Sequence, residues 1–277
     1  MYYFRKIYWK EMLKMNSLRR NLEVIYTLAT MDLKLKYQNS KLGFLWSFIK
    51  PLLQFCTYYI VFGVILHYSD SADYPLRMFL GILVWVFFTE GTSMGLGSYI
   101  GKKSIITKIH TKKILLPISA YVTAAISFFL NFLIFLLMYH IFTPDWKKIY
   151  SFKNLLMFLI CFLILSIFIL SLNVILANVN SIFRDIQTIW EIILMYGCFL
   201  TPIMYTLPIP EKYMPLYLFA NPLVVPIESI RTIFFETDVF LWKNTLYMCS
   251  FFFAILFWIV IAYIINKKLS GKVADYL

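Results

Sequence analysis

Two acidic residues lie within long hydrophobic runs of this sequence, and they are its clearest candidates for chemistry. These residues are Glu90 and Glu191. A carboxylate at the middle of a bilayer costs roughly 2.5–3.5 kcal/mol, so each acid is expected to face protein or water. Glu191 lies early in its run, where a helix dipole favours an acid. Glu90 lies deeper and is the better candidate for a substrate contact, although a buried hydrogen bond between helices explains it equally well.

The residues that usually bind metals are scattered. The four cysteines form no Cys-x-x-Cys pair, and the three histidines are far apart. The cysteines all fall inside apolar runs, which predicts packing residues and no metal site. Two close pairs of acids, Asp70/Asp73 and Glu236/Asp238, fall in predicted outer loops. A prenyl or glycosyl transferase needs an acidic metal cluster that faces its cytoplasmic donor, so this placement argues against such an enzyme.

A basic stretch from Gly101 to Lys113 begins like a phosphate-binding loop. Gly101 and Lys102 are adjacent as in that motif, but residue 96 is Leu, and Lys103 stands where Ser or Thr is required. We therefore expect no Walker-type nucleotide site in this chain. Charge bias toward the cytoplasm explains the five lysines of this stretch. They also suit a coupling element or a receiver of anionic headgroups.

The composition indicates an integral membrane protein. Of the 277 residues, 61% are hydrophobic and only 14% are charged, whereas soluble domains are about half apolar and about a quarter charged. The mean hydropathy is +0.75. The net charge of +12 belongs to the cytoplasmic edge of such a protein. No basic soluble region is present to hold a nucleic-acid duplex, so we expect no nucleic-acid partner.

Six segments are long and apolar enough to cross a bilayer as helices, for which roughly 20 residues are needed. They are about 44–67, 76–100, 115–142, 154–178, 186–205 and 245–266. The runs lack the alternation of strands, and backbone groups in lipid must be paired internally, so the predicted fold is an all-α membrane protein. We expect residues 1–277 to form a single transmembrane domain.

The distribution of basic residues predicts the orientation. With the N-terminus inside, the inner segments hold 18 Lys and Arg residues and the outer segments hold seven. This is the asymmetry that the positive-inside rule describes. An even number of spans then returns the C-terminus to the same side, so both termini are expected in the cytoplasm.

An amphipathic helix is predicted over residues 20–37, within the cytoplasmic segment 1–43. Its apolar residues share one side at helical spacing and are Leu22, Ile25, Tyr26, Ala29 and Leu33. Such a helix suits passive adsorption to the headgroup layer. It suits a docking surface for a cytoplasmic partner equally well, and the pattern does not decide between them.

Six of the ten prolines fall between residues 202 and 226, in sequence that stays apolar and aromatic. No straight helix survives that density. Broken backbone at membrane depth is tolerated only where protein or a cavity surrounds it. We therefore expect re-entrant helices across 206–244 that dip in from the outer face. One should begin near Asn221-Pro222, because Asn caps helices and Pro suits a first turn. An ordinary extracellular loop is the alternative.

The first predicted span carries an aromatic stripe at positions i, i+3, i+4 and i+7. The stripe consists of Phe55, Tyr58, Tyr59 and Phe62. Aromatic planes with hydroxyl tips suit stacking on sugar rings. They also suit ordinary helix packing or lipid contact, so a sugar path and a packing role both stay open.

Four motifs together resemble those of the type-2 ABC exporter permeases that move polysaccharides or polyol-phosphate polymers to the cell surface. The first runs from Asp32-Leu-Lys-Leu-Lys-Tyr37 through Leu42-Gly-Phe-Leu-Trp46 to Lys50-Pro51. The others are Asn180-x-x-Phe183-Arg184-Asp185-Ile186, Pro202-Ile-Met-Tyr205, and Asn221-Pro222 followed by Glu228-Ser-Ile-Arg231. They cover nearly the whole chain in the order typical of this family, which includes O-antigen, capsule and wall teichoic acid permeases.

The resemblance implies a half-channel of the bacterial cytoplasmic membrane. Such a permease pairs with a second copy of itself and with two copies of a separate cytoplasmic ABC ATPase. ATP and Mg would bind to the ATPase, and this chain itself would need no cofactor. The substrate would be a glycan attached to an undecaprenyl-type lipid, which enters from the inner leaflet.

Several residue roles follow as expectations. Contacts to the ATPase are expected from Asp32, Lys34, Lys36, Lys102, Lys103, Lys108, Lys112 and Lys113. An inner gate is expected at Arg184, Asp185 and Glu191, with Glu90 as a buried acid. An aromatic substrate path is expected along Phe55, Tyr58, Tyr59, Phe62, Tyr196, Phe199 and Tyr205. An outer gate is expected at Pro202, Asn221, Pro222, Glu228 and Arg231.

Two other kinds of transporter are alternatives. A drug- or lipid-exporting permease of the same superfamily would share the topology, but the Leu42-Gly-Phe-Leu-Trp46 motif favours the polysaccharide branch. A proton-coupled secondary transporter would normally show an internal repeat between its halves, and none is visible in the sequence.

Overall fold

A computed structural model of the chain describes residues 17–38, 40–68, 71–108, 112–143, 151–205, 209–235 and 240–276. These ranges contain helices and connecting turns but no strand, as the sequence predicts. The helices are α1 (Ser17–Tyr37), α2 (Trp46–Tyr58), α3 (Tyr74–Gly101), α4 (Lys103–Lys108), α5 (Leu115–Phe142), α6 (Phe152–Ile182), α7 (Ile186–Leu200), α8 (Met214–Ala220), α9 (Val224–Phe235), α10 (Phe240–Lys243), α11 (Thr245–Leu269) and α12 (Val273–Tyr276). Short 3-10 turns at Gly43–Leu45 and Glu211–Tyr213 precede α2 and α8, and a π-helical stretch, Tyr59–Ile65, extends α2.

Five of these helices are long and apolar enough to span a membrane. They are α2 with its π-helical extension (Trp46–Ile65), α3, α5, α6 and α11. A sixth candidate span is the pair Glu211–Ala220 and Val224–Phe235, whose two halves are bent by 106°. The prediction of an all-helical protein with several membrane spans is therefore confirmed.

The helix within the predicted span 186–205 is shorter than expected. α7 ends at Leu200 after 15 residues, which corresponds to about 22 Å at the rise of an α-helix and is less than a bilayer core of about 30 Å. Thr201 is extended, with φ −99° and ψ 137°. Pro202 follows it, and a residue before proline avoids the α-helical region. Pro202 therefore explains why α7 ends earlier than predicted, because it keeps Thr201 out of the helical conformation.

α3 is the central helix of the bundle. Within the apolar stretch of α3 that is long enough to span a membrane, 72% of the residues are buried, compared with 6% in the first span. α3 packs against α5 and α6 through aromatic side chains. The ring of Phe87 lies 4.8 Å from that of Phe128 and 5.8 Å from that of Phe162, measured between centroids. The first span, by contrast, lies at the edge of the bundle and keeps most of its surface exposed.

α1 packs against α5, with Leu28 buried. The contact face coincides only in part with the predicted apolar side, since Ala29 is buried but Leu22 and Tyr26 are 58% and 71% exposed. Asp32 and Lys36 follow Leu28 at intervals of four residues and so share its side of the helix. This side can carry charged residues because both of them have partners on the transmembrane helices.

Candidate functional site

An ion pair joins α1 to the end of α3. The Nζ atom of Lys102, directly after α3, lies 2.6 Å from Oδ2 of Asp32, and both side chains are only 14% exposed. Lys102 also donates to the hydroxyl of Ser119 on α5, at 3.2 Å. One lysine therefore ties α1, α3 and α5 together.

A second ion pair lies one turn further along α1. The Nζ atom of Lys36 is 2.6 Å from Oε1 of Glu90 on α3, with side-chain exposures of 27% and 19%. Lys36 also reaches the hydroxyl of Ser127 on α5, at 3.4 Å. A contact between helices was one of the two explanations for Glu90 from the sequence, and the structure has such a contact.

We call Asp32, Lys36, Glu90 and Lys102 the α1 latch. Exposed ion pairs contribute about 0–1 kcal/mol, but breaking a pair that is largely removed from water leaves an uncompensated charge and costs more. The two pairs act on consecutive turns of α1 and on the same two transmembrane helices. Displacement of α1 must therefore either move α3 and α5 or break both pairs.

The other lysines expected at an ATPase surface are placed differently. The exposed ones are Lys34, Lys103 and Lys112. Lys113 donates instead to the carbonyl oxygen of Ser270 after α11, at 2.6 Å. Lys108 is the last residue of α4, and its side chain lies outside the described part of the structure. The described part of the predicted set thus comprises latch residues that face the bundle, three exposed lysines, and Lys113, which binds the turn after α11.

α7 contacts the bundle through Trp190, whose Nε1 donates to Oγ1 of Thr92 on α3 at 3.2 Å. The opposite side of α7 is apolar and exposed. On this side Tyr196 and Phe199, both predicted to line a substrate path, are 59% and 53% exposed. The structure therefore leaves an aromatic face on α7 uncovered within the described residues.

The predicted inner-gate residues lie at the start of α7. Arg184 and Asp185 are exposed in the turn between α6 and α7. Glu191 is exposed on α7, and its Oε1 accepts a hydrogen bond from Nε2 of Gln187 at 3.1 Å. The gate role of these residues stays a prediction.

The aromatic stripe of the first span faces the protein in part. Phe55 packs against Phe79 of α3, with centroids 5.2 Å apart, and the Tyr58 hydroxyl lies 3.7 Å from Sγ of Cys198 on α7. All four stripe residues are half-buried. Packing therefore accounts for one side of the stripe, and a sugar path along its exposed side stays a prediction.

Side chains donate to carbonyl groups at the end of α7 and in the buried irregular backbone that follows it. The hydroxyl of Tyr217 on α8 donates to Leu200 at 2.6 Å, and the hydroxyl of Tyr74 on α3 donates to Met204 at 2.7 Å. Tyr205 donates to Phe199 at 2.8 Å. These bonds pair carbonyl groups that have no partner within a helix, because they lie in the last turn of α7 or in irregular backbone.

Arg231 of α9 supplies most of the remaining donors. Its side chain is 8% exposed. Its Nη1 donates to the carbonyl of Pro202 at 2.6 Å, its Nη2 to that of Ile203 at 2.5 Å, and its Nε to that of Arg77 at 3.2 Å. Glu228, one turn earlier on α9, accepts from Nη1 at 2.7 Å and balances the charge. Arg231 therefore fixes α9, α3 and the segment 201–205 to one another.

Asn221 and Pro222, the other predicted outer-gate residues, lie beside this network. Nδ2 of Asn221 donates to Oγ1 of Thr201 at 2.9 Å, and its Oδ1 accepts from the backbone nitrogen of Leu223 at 3.3 Å. Pro222 is buried in the bend before α9, which starts at Val224. The helix predicted near Asn221-Pro222 is present.

Sequence reasoning missed Gly81, which makes room for Arg231. A Cβ atom at Gly81 would lie 2.6 Å from Nη2 of Arg231 and 3.3 Å from Cγ2 of Ile203. The available signal was a glycine inside a strongly helical run, which usually has a packing reason. That signal does not reveal which side chain passes over the glycine.

The sequence pattern of ABC-2 type transporters matches residues 23–235, a range that contains the α1 latch and the Arg231 network. The chain belongs to the ABC-2 type transporter family. Its spans place it among multi-pass proteins, and the family places it in the bacterial inner membrane.

Relatives of this ABC-2 chain are named as export or transport proteins. An O-antigen export system permease protein, RfbA of Myxococcus xanthus, is 31% identical over 217 residues, covering 77% of this chain and 80% of the relative. RfbA of Klebsiella pneumoniae is 26% identical over 259 residues, covering 92% and 95%. The polysialic acid transport protein KpsM of Escherichia coli is 23% identical over 212 residues, covering 75% and 79%. This ABC-2 chain is therefore a transporter component.

Proposed function

We propose that this chain is the transmembrane permease subunit of an ATP-driven exporter that moves a cell-surface polysaccharide across the cytoplasmic membrane. The observation that carries the proposal is the similarity to permeases named for O-antigen export, which cover 77% and 92% of this chain. A relative named for polysialic acid transport points to the same chemical class. The polymer would be of the O-antigen, capsule or teichoic acid type, attached to an undecaprenyl-type lipid.

The ATPase would be a separate subunit. The sequence lacks a complete phosphate-binding loop, since Lys103 stands where the motif needs Ser or Thr. ATP and Mg would bind to two copies of this partner, below two copies of the permease. The exposed side of α1 and the exposed lysines Lys34, Lys103 and Lys112 are the surface that we assign to the ATPase.

The distribution of Lys and Arg residues supports the orientation that we propose for the chain in the membrane. The α1 latch and the exposed lysines would lie on the cytoplasmic side, with both termini, because Lys and Arg accumulate there. α1 would lie at the membrane interface. α7 together with the non-helical residues 201–205 would serve as the fifth span, and α8 and α9 would enter from the outer face as re-entrant helices.

The substrate path would run along the exposed aromatic side of α7 and the stripe of the first span. Both surfaces lie at the edge of the bundle, where a second copy of the chain would close the path. Aromatic side chains suit such a path because their flat faces can stack on sugar rings. Arg184, Asp185 and Glu191 would form the inner end of this path, and the Arg231 network would hold its outer end.

A strain that makes a surface polysaccharide and lacks only this chain tests the proposal. Surface polymer and intracellular polymer are measured separately by fractionation and sugar analysis. We expect the surface polymer to disappear and lipid-linked polymer to accumulate inside, with recovery on complementation. Unchanged surface polymer would refute the proposal. Altered drug resistance or membrane lipid composition in that case would favour the alternative exporter class.

A further inference from the structure

A cavity of about 560 Å³ lies between α7 and α11. This volume falls within the range of about 300–1,000 Å³ that is typical of ligand sites. Residues of α3 and α6 form its inner wall, and residues of α8 and of the bend before α9 complete the lining. In the described part of the structure α7 and α11 have no extensive contact with each other, so the cavity separates the two helices. We call it the α7–α11 cavity.

Packed aromatic rings form the inner wall of this cavity. Phe88 of α3 stacks on Phe168 of α6 with centroids 5.9 Å apart, and Trp258 of α11 meets Phe168 edge-on at 6.1 Å. The indole of Trp190 on α7 lies 6.2 Å from the ring of Phe88. Because each ring packs against another, the wall is fixed in place and the cavity is preformed.

The lining of the cavity is apolar. None of the described residues that line it is charged. The polar side chains near the end of α7 are already bonded within the protein, since Tyr217 donates to the carbonyl of Leu200, Thr201 to that of Gly197, and Asn221 to the hydroxyl of Thr201. A ligand that depends on charge is therefore poorly matched to this cavity, whereas a hydrocarbon needs neither a counterion nor a hydrogen bond.

The position of the cavity indicates where a hydrocarbon would come from. Phe88, Phe168 and Trp258 lie near the midpoints of three candidate spans, α3, α6 and α11, which is the depth of lipid chains in a bilayer. Ile193 and Leu200 line the cavity and are also 49% and 66% exposed, so a lipid chain that enters beside α7 meets apolar side chains. An apolar cavity stays dry, and its lining lacks contact atoms on one side until a chain supplies them.

We propose that the α7–α11 cavity binds one hydrocarbon chain of a membrane phospholipid. The chain would lie between α7 and α11 and would hold α7 in its position against α3. This binding does not depend on what the protein transports. Only its consequence for export, through the path that we assign to α7, rests on the proposed function.

Photolabelling of the full chain in phosphatidylcholine nanodiscs tests the site. The probe is a phosphatidylcholine with a diazirine in one acyl chain, and labelled residues are identified by mass spectrometry. We expect label on Phe168 and Leu172 of α6, because these cavity residues are only 5% and 3% exposed and a chain must enter the cavity to reach them. Ile193→Trp and Ala220→Trp, which fill the cavity from α7 and α8, should each reduce this label several-fold. The matched control Met195→Trp changes a residue of α7 that is 55% exposed and lies outside the lining, and it should leave the label unchanged. All three substitutions replace exposed residues, so the fold should tolerate them.

The pattern of label decides between a bound chain and the surrounding bilayer. Label on α6 that both filling variants reduce, and that Met195→Trp does not, supports the site. Label confined to outward residues such as Leu133 and Leu137 of α5, which are 60% and 61% exposed, would show contact with bulk lipid only and overturn the proposal. Label on α6 that neither filling variant reduces would overturn it as well.

A second copy of the chain is the other possible occupant of the cavity mouth. Absence of label on α6, together with a disulfide between two copies of the Leu200→Cys variant, would assign the mouth to that copy and overturn the proposal. If the label fails while the deletion strain still loses its surface polymer, the proposed function stands and only the lipid site is wrong.

Discussion

The Nζ atom of Lys36 lies 2.6 Å from Oε1 of Glu90, so the last turns of α1 are joined to the middle of the most buried helix. From the sequence, the lysine was assigned to a partner surface and the acid to the membrane interior. In the structure the two residues form one ion pair, which joins α1 to α3. Displacement of α1 would therefore be transmitted to α3, as the proposed drive by a separate ATPase requires.

The coupling within this pair is measurable. Lys36→Met or Glu90→Gln alone should lower the free energy of unfolding by about 1–3 kcal/mol, because each leaves a poorly hydrated charge without its partner. The double substitution should cost less than the sum of the two. Thermal unfolding in detergent gives these values. The exposed pair Arg19–Glu23, with side chains 75% and 32% exposed, is the control and should show coupling below about 1 kcal/mol. Additive losses at Lys36 and Glu90 would argue against the latch.

Two glycines of α3 should respond oppositely to alanine. Gly81→Ala would place Cβ 2.6 Å from Nη2 of Arg231, and we expect a loss of about 1–3 kcal/mol from overpacking. Gly97→Ala meets no atom within 4 Å, and we expect a gain of up to about 1 kcal/mol from helix propensity. Thermal unfolding of the two variants is the measurement. A neutral Gly81→Ala would mean that Arg231 does not occupy this place.

Arg231 should not be replaceable by lysine. An ammonium group cannot reach the carbonyls of Pro202, Ile203 and Arg77 together, so Arg231→Lys should cost about 2–4 kcal/mol through buried carbonyls that lose their donors. The matched change Arg184→Lys affects an exposed residue and should be nearly neutral. Protease sensitivity between α7 and α8, read by mass spectrometry, should rise only in the Arg231 variant. Equal stability of the two variants would refute the network.

The exposed aromatic face of α7 should matter for export more than for stability. Tyr196→Ala and Phe199→Ala remove side chains that are more than half exposed, so the unfolding midpoint should stay nearly constant while surface polymer falls severalfold. Phe135, which is fully buried, provides the contrast, since Phe135→Ala should cost about 3–5 kcal/mol. Normal surface polymer in both α7 variants would remove this face from the proposed path.

The local features of the sequence predict much of this fold. Long apolar runs identify the spanning helices, and the density of prolines identifies the break between α7 and α9. Contacts between residues far apart in the sequence could not be predicted in this way. Asp32 and Lys102 are 70 residues apart and looked like two surface charges, because no local pattern reveals which charges face each other. The partners of Arg231 are backbone carbonyls, which every residue carries, so no pattern of residue types marks them.

ATP-dependent uptake into inverted membrane vesicles tests the central claim most directly. Vesicles that contain this chain and the proposed ATPase partner are given labelled lipid-linked polysaccharide, and the polymer protected from added glycosidase is measured. We predict that protection requires ATP and this chain, and that Arg231→Lys and the Lys36→Met variant reduce it. Equal protection in vesicles that lack the chain would contradict the account.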